Sequence, residues 1–217
     1  MNFARQLDPQ VLEELHARGR PVPFTRGQRL MQAQLKDDRV LLLDDGYVKI
    51  SRTTSDGREA VLDFRGPGEL LGERAALRED LPTPVVEALT DGEALSVAAS
   101  SFVQWLMARP EASLAVMRVL AMRLHEADTQ RMEYGASQTL ARVAGRLATL
   151  ADRFGQTRNG AVEIALAISQ EELAAWSGSS REATVKALRT LRSLNVVETS
   201  RRRLVVLDPQ ALELHVG

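Results

Sequence analysis

The stretch Ser169-Gln170-Glu171-Glu172-Leu173-Ala174-Ala175-Trp176-Ser177-Gly178-Ser179-Ser180-Arg181-Glu182-Ala183-Thr184-Val185-Lys186-Ala187-Leu188 reads as two short helices joined by a glycine-containing turn. Ser169 precedes Glu172, and Ser179 precedes Glu182, at the spacing of a capping box. In that motif a side-chain oxygen and a carboxylate satisfy otherwise unpaired N–H groups at a helix start. Leu173, Ala174 and Trp176 give the first helix an apolar side, and Ser177-Gly178 lets the chain turn where a Cβ would crowd it. In the second helix Ala183, Val185, Leu188 and Leu191 are expected to face inward, with Arg181, Thr184, Lys186 and Arg189 left available. Such a pair forms a helix-turn-helix whose second helix fits the DNA major groove. An ordinary pair of packed helices would carry the same caps, so the flanking sequence decides.

Downstream, Val196-Val197-Glu198-Thr199 and Leu204-Val205-Val206-Leu207-Asp208 flank Ser200-Arg201-Arg202-Arg203, two strands around a basic turn: a wing. Upstream, residues 161–168 alternate as a strand, and Leu140, Val143, Leu147 and Leu150 mark an amphipathic helix. Gly135-Ala136-Ser137-Gln138 is a small, polar break suited to an interdomain hinge. Before it, helical spacing runs from Ser101 to about Tyr134, interrupted at Pro110. Met117, Leu120, Leu124, Ala127, Arg131 and Tyr134 recur there at steps of three and four, a seam for a partner helix. The alternative is that this face packs on the chain's own N-terminal part.

That part opens with a lead-in helix over residues 8–19, with Asp8 as cap and Pro9 at the first helical position. From about residue 22 to 98 the period becomes two, in runs at 47–52, 59–64 and 93–97. Asp45-Gly46, Asp56-Gly57, Gly66-Pro67-Gly68 and Asp91-Gly92 lie beside them. Short strands between regular turns predict a small antiparallel barrel or roll.

At 217 residues the chain suits two modest domains. It has no cysteine, which excludes disulfides, thiolate metal sites and cysteine nucleophiles. No segment approaches the roughly 18 apolar residues of a membrane span, and the N-terminus lacks a signal-peptide core, so a cytoplasmic protein is expected. The net charge of −1 is unevenly placed: residues 1–135 carry 17 Lys/Arg against 21 Asp/Glu, residues 136–217 carry 11 against 8. The basic excess lies with the helix-turn-helix.

Four motifs stand in a fixed order: Phe24-Thr25-Arg26-Gly27-Gln28, Asp45-Gly46-Tyr47-Val48-Lys49-Ile50, Gly66-Pro67-Gly68-Glu69-Leu70-Leu71-Gly72-Glu73 and Gly178-Ser179-Ser180-Arg181-Glu182. With these the whole chain resembles the cyclic-AMP receptor protein/Fnr (Crp/Fnr) family of bacterial transcription regulators. The resemblance implies an α+β chain with an N-terminal antiparallel β-roll of the cyclic-nucleotide-binding kind at 1–109. A long dimerisation helix at 110–135 and a C-terminal winged helix-turn-helix at 136–217 follow. It further implies a homodimer, double-stranded DNA and RNA polymerase as partners, and no membrane.

In relatives that read a G·C-rich half-site, the recognition helix carries Arg-Glu and a second Arg four residues after the Glu. Here Arg181, Glu182 and Lys186 match. The resemblance implies a TGTGA-like half-site repeated in inverted orientation, with Ser180, Thr184, Arg201, Arg202 and Arg203 on phosphates. Ser169, Ser179 and Arg189 complete the expected DNA face, and Met117, Leu120, Leu124, Ala127 and Arg131 the dimerisation seam.

For an effector pocket the resemblance points to Leu71, Gly72, Glu73, Arg74 and Thr83, with Asp128 and Thr129 on the long helix. Cyclic-AMP-binding relatives meet the ribose with Gly-Glu, matched by Gly72 and Glu73, and hold the phosphate with an Arg about ten residues later. Pro82 or Thr83 stands in that place, so the cation is missing. No cofactor is required by the motifs. A regulator independent of cyclic AMP or using another effector is expected, the alternative being a cyclic-AMP-dependent one. No Ser/His/Asp order, metal-ligand cluster or phosphate-cradling loop points to an enzyme.

Overall fold

The computed structural model describes residues 2–32, 38–78, 83–136, 138–200 and 203–216, with only the backbone of 133–136. Leu81, Pro82, Ser137, Arg201, Arg202 and the Tyr134 side chain, all used in the sequence reading, lie outside the described residues.

Asp8 opens α1 (Pro9–His16), its carboxylate accepting from the Gln10 N–H at 2.9 Å, while Pro9 sits where no N–H is needed. The chain continues through β1 (Arg20–Phe24), β2 (Arg29–Met31), β3 (Arg39–Asp45), β4 (Val48–Thr53), β5 (Glu59–Arg65) and β6 (Leu70–Leu71). The short helix α2 (Glu73–Leu77), β7 (Val85–Ala88) and β8 (Gly92–Ala98) follow. The strands form two antiparallel four-stranded sheets, β1-β8-β3-β6 and β2-β7-β4-β5, the expected roll.

β3 explains how the roll is held. Val40 and Leu42 point into a core shared with Phe3, Leu15, Phe102 and Trp105. Leu41 and Leu43 point the other way, among Phe24, Met31, Val48, Ile50 and Val86. Side chains alternate along a strand, so an unbroken apolar run is what a strand buried on both faces needs. Each such Leu contributes roughly 1.5–3 kcal/mol by leaving water.

After the roll come α3 (Ala99–Ala108) and α4 (Pro110–Ala136), separated by Arg109, whose guanidinium donates to Glu14 of α1 at 2.8 and 2.6 Å. Ala112, Ala115, Val116 and Val119 of α4 enter the same core as Trp105, a stripe at helical spacing. The expected seam lies largely on another side: Met117 and Leu124 are 58 % and 63 % exposed, Ala127 and Arg131 are exposed, and Leu120 is partly buried. No helix among the described residues is long and apolar enough to cross a membrane.

The chain divides into two compact units, Met1–Arg52 with Leu62–Glu126, and Thr53–Val61 with Ala127–Gly217. The second contains α5 (Thr139–Phe154), β9 (Gly155–Arg158), β10 (Ala161–Ile164), α6 (Gln170–Trp176), α7 (Arg181–Ser193), β11 (Val197–Ser200), β12 (Arg203–Val206) and α8 (Pro209–Glu213). Its sheet runs β11-β12-β10-β9. The strand expected over 161–168 ends at Ile164. Leu166 and Ile168 are buried outside any strand, so their alternation reflects an extended connection rather than a ladder.

Candidate nucleic-acid interface

Helix α6 begins with the capping box its sequence predicts. The Ser169 Oγ accepts from the Glu172 N–H at 3.1 Å, and the Glu172 carboxylate accepts from the Ser169 N–H at 2.7 Å. Leu173, Ala174 and Trp176 are buried as expected. The helix is closed by Gly178, whose φ of 58° is left-handed, and the Ser179 N–H folds back to the Ala174 carbonyl at 3.0 Å. That closure turns the chain into α7.

The second helix starts one residue later than the capping-box spacing suggests. Ser180, not Ser179, is its N-cap, accepting from the Ala183 N–H at 3.2 Å, and Ser179–Glu182 is not a capping box. The Ser179 Oγ instead accepts from Arg142 Nη2 at 3.1 Å. The Glu182 carboxyl is held below the ordinary carboxylate range, first by its own backbone N–H, then by the Ser180 hydroxyl, with Arg181 adding to both. It faces solvent as an anion and an acceptor.

The inward face also differs from expectation. Thr184, Ala187, Leu188 and Leu191 are buried, at the i, i+3, i+4, i+7 spacing of one helical stripe, while Ala183 and Val185 are only half-buried. Thr184 is fully buried, its hydroxyl without a hydrogen-bond partner among the described residues, so it cannot serve the phosphate contact assigned to it. Helical geometry puts it one turn before Leu188, on the buried stripe. Glu182, Lys186 and Arg189 are exposed on the opposite side, Arg181 is exposed at the first position of the helix and Ser180 at the cap, and Ser169 and Ser179 are half-buried.

Two residues that position this surface were not singled out in the sequence. Arg142 of α5 donates from Nε to the Ser177 carbonyl at 3.1 Å and from Nη2 to Ser179, fixing the turn between α6 and α7. Arg146, one turn on and only 5 % exposed, lays its guanidinium 5.1 Å from the Trp176 ring centroid. The available signal was a pair of arginines flanking the apolar positions Val143 and Leu147 of an amphipathic helix.

The wing is present as β11 and β12. Arg203 is not a free phosphate ligand: its Nε donates to Glu163 Oε1 at 2.7 Å and its Nη1 to Glu198 Oε1 at 3.2 Å. Those bonds, the Glu163 one first, hold the Arg203 pKa above its usual value and the Glu163 carboxyl below. Arg203 thus knits β12 to β10 and β11.

Of the expected effector residues, Leu71 lies inside the roll and Glu73 is buried. Gly72, with φ of 80°, precedes Glu73 at a point where a Cβ would meet the Arg39 carbonyl at 2.5 Å. Only glycine fits that turn. Arg74 is exposed, and Thr83 is buried at 9 %. Asp128 and Thr129 belong to the second unit, where Asp128 is exposed and pairs with Arg131 at 3.8 Å. Glu73 itself is held by two arginines, Arg65 and Arg123. Both oxygens of the Glu73 carboxylate are thus engaged by arginines, and Thr83 brings no counter-charge for a cyclic phosphate.

Residues 21–109 match the cyclic nucleotide-binding domain family, and residues 141–214 the Crp-like helix-turn-helix domain. The chain belongs to the Crp/Fnr family. It is 30% identical over 206 residues to the "CRP-like cAMP-activated global transcriptional regulator" of Mycobacterium tuberculosis, covering 95% of this chain and 92% of the relative. It is 30% identical over 211 residues to the "Cyclic AMP receptor protein" of Thermus thermophilus, covering 97% and 87%. The solved structure of FixK2 from Bradyrhizobium japonicum, 20% identical, superposes with a TM-score of 0.79 over 92% of this chain and 98% of that one, and shares the fold. The Crp/Fnr chain described here is a transcription regulator with a DNA-binding helix-turn-helix.

Proposed function

We propose that the protein acts as a homodimer that reads an inverted-repeat DNA site through α7 and regulates transcription without requiring cyclic AMP. The observation that carries this reading is the exposure of Arg181, Glu182 and Lys186 at the start of α7, a helix anchored by the buried Thr184-Ala187-Leu188-Leu191 stripe. Arg181 donates two hydrogen bonds to guanine O6 and N7, Glu182 accepts from a cytosine amino group, and Lys186 donates to a guanine or a phosphate. Lys lacks the fork of Arg and discriminates less. Ser180, Arg189, Arg201 and Arg202 serve phosphates, and Ser169 and Ser179 shape the approach.

In support of the homodimer, α4 leaves Met117 and Leu124 exposed while Ala112, Ala115, Val116 and Val119 are anchored in the core. A second copy of the same helix covers that face by symmetry, and a twofold axis turns two half-sites into an inverted repeat. Work on the chromosome places the protein in the cytoplasm, with RNA polymerase as a further partner, and asks no catalysis of it.

The names of two relatives support a second reading, activation by cyclic AMP. Against it stands Thr83, which leaves a cyclic phosphate without the cation its charge requires. Fluorescence anisotropy on an inverted-repeat TGTGA duplex and a scrambled one, at fixed salt, with and without cyclic AMP, separates the readings. Specific binding in both conditions supports the proposal. Specific binding only with the nucleotide supports the second reading, and equal binding to both duplexes contradicts both.

A further inference from the structure

Two guanidinium groups, one buried and one partly buried, converge on one carboxylate in the roll unit. Arg65, the last residue of β5, is 7 % exposed, and Glu73, the first of α2, is 1 % exposed. Arg65 Nη1 donates to the Leu70 carbonyl and to Glu73 Oε2 at 3.4 Å, and its Nε donates to Asp63 Oδ2 at 3.2 Å. From α4, Arg123 Nη1 donates to Glu73 Oε1 and Nη2 to the same Leu70 carbonyl at 3.5 Å. Glu69 adjoins them, its Oε2 accepting from the Gly66 N–H at 3.0 Å.

Two cations therefore face three carboxylates in a largely dehydrated cluster. Burial opposes the Arg65 charge, yet Glu73, Asp63 and Glu69 outweigh it and hold its pKa above the usual value. For Arg123, burial and the adjacent Arg65 charge prevail and its pKa is lowered. Glu73 is thus the shared counterion that lets both guanidiniums remain in this cluster.

The place of Arg123 on α4 gives this cluster a mechanical meaning. The apolar anchor of α4 runs through Ala112, Ala115, Val116 and Val119. Arg123 is the next residue in that stripe, one turn beyond Val119, and its side chain is 15% exposed. The helix is held to the roll there by Glu73 and the Leu70 carbonyl.

We propose that Arg65 is a positioning residue, a built-in counterion that fixes Glu73 and the Leu70 carbonyl for Arg123 and so fastens α4 to the roll without a small molecule. The inference rests on the ligand-independent reading above and supplies its physical means. Removing the Arg65 cation leaves three carboxylates around one guanidinium and takes from Glu73 one of its two partners.

The test is amide hydrogen exchange across residues 116–126 of the free full-length protein, without DNA or nucleotide. Arg65→Leu should speed exchange there about tenfold or more, and in an Arg123→Leu background, where the fastening is already gone, the same change should add little. Wild-type exchange in Arg65→Leu would overturn the proposal, as would an effect of Arg65→Leu undiminished in the Arg123→Leu background. If Arg65→Leu does not fold, Arg65→Lys carries the test. Its single ammonium cannot serve Asp63, the Leu70 carbonyl and Glu73 together, so it should exchange faster than wild type, and unchanged exchange overturns the proposal. Added cyclic AMP that slows exchange tenfold in the wild type would refute the claim that no ligand is needed. Because no DNA is present, a failure of the wild type to bind the TGTGA duplex would sink the proposed function and leave this result standing.

Discussion

Arg142 and Ser179 are joined by a 3.1 Å hydrogen bond from guanidinium Nη2 to hydroxyl, and the same guanidinium reaches the Ser177 carbonyl through Nε. One side chain of α5 therefore ties both ends of the turn that aims α7. The bonds are charge-assisted and half-buried, the setting in which a fork of donors cannot be replaced by a point charge.

Arg142→Ala should cost about 1–3 kcal/mol of stability, and Arg142→Lys a smaller loss, because one ammonium cannot hold both acceptors. Urea unfolding followed by circular dichroism checks this. Wild-type stability in Arg142→Ala would show that the turn is held by its glycine and caps alone.

Thr184→Val keeps the shape of a buried side chain while removing a hydroxyl with no partner among the described residues. Stability should stay level or rise by up to about 1 kcal/mol, with DNA affinity unchanged. A substantial fall in affinity would restore Thr184 as a phosphate contact.

His16 has an acceptor at each ring nitrogen, the Leu12 carbonyl at 3.0 Å from Nδ1 and Asp44 Oδ1 at 3.1 Å from Nε2. Only the imidazolium donates to both. Burial opposes the charge, but the Leu12 carbonyl and Asp44 prevail and raise the His16 pKa above its ordinary value. A raised folded-state pKa means that the contribution to stability is complete below the unfolded value of about 6.5 and disappears as pH rises through the folded value. An NMR titration should therefore place the His16 midpoint above 6.5, and Asp44→Asn should lower it.

Leu124→Glu puts a charge on the exposed seam of α4 without touching the core stripe. Sedimentation should show a shift from dimer towards monomer at equal concentration, with far-ultraviolet circular dichroism unchanged. Undisturbed dimers would move the interface off this face.

What the sequence made legible follows the strength of its periodic signals. The cap at Asp8, the capping box at Ser169, the Gly178 turn and the strand pair β11–β12 each depend on a few adjacent letters with one physical solution. β3 gave no alternation because Val40 to Leu43 are buried on both faces. The α7 register slipped because Ser179 and Ser180 are both good caps, and only the contact of Ser179 with Arg142, distant in sequence, decides between them. The same limit applied to Arg65: nothing local announces that it shares Glu73 with Arg123, which stands 50 residues beyond Glu73.

The central claim is that exposed side chains on α7 read bases. The most direct measurement compares wild type, Arg181→Ala, Glu182→Ala and Arg189→Ala by anisotropy on the TGTGA inverted repeat and on its scrambled counterpart over a range of salt. Arg181→Ala and Glu182→Ala should each lose about 1–3 kcal/mol per half-site contact on the specific duplex and little on the scrambled one, while Arg189→Ala weakens both and lowers the salt slope by about 1. Equal losses on both duplexes for Arg181→Ala and Glu182→Ala, or no loss at all, would contradict the account.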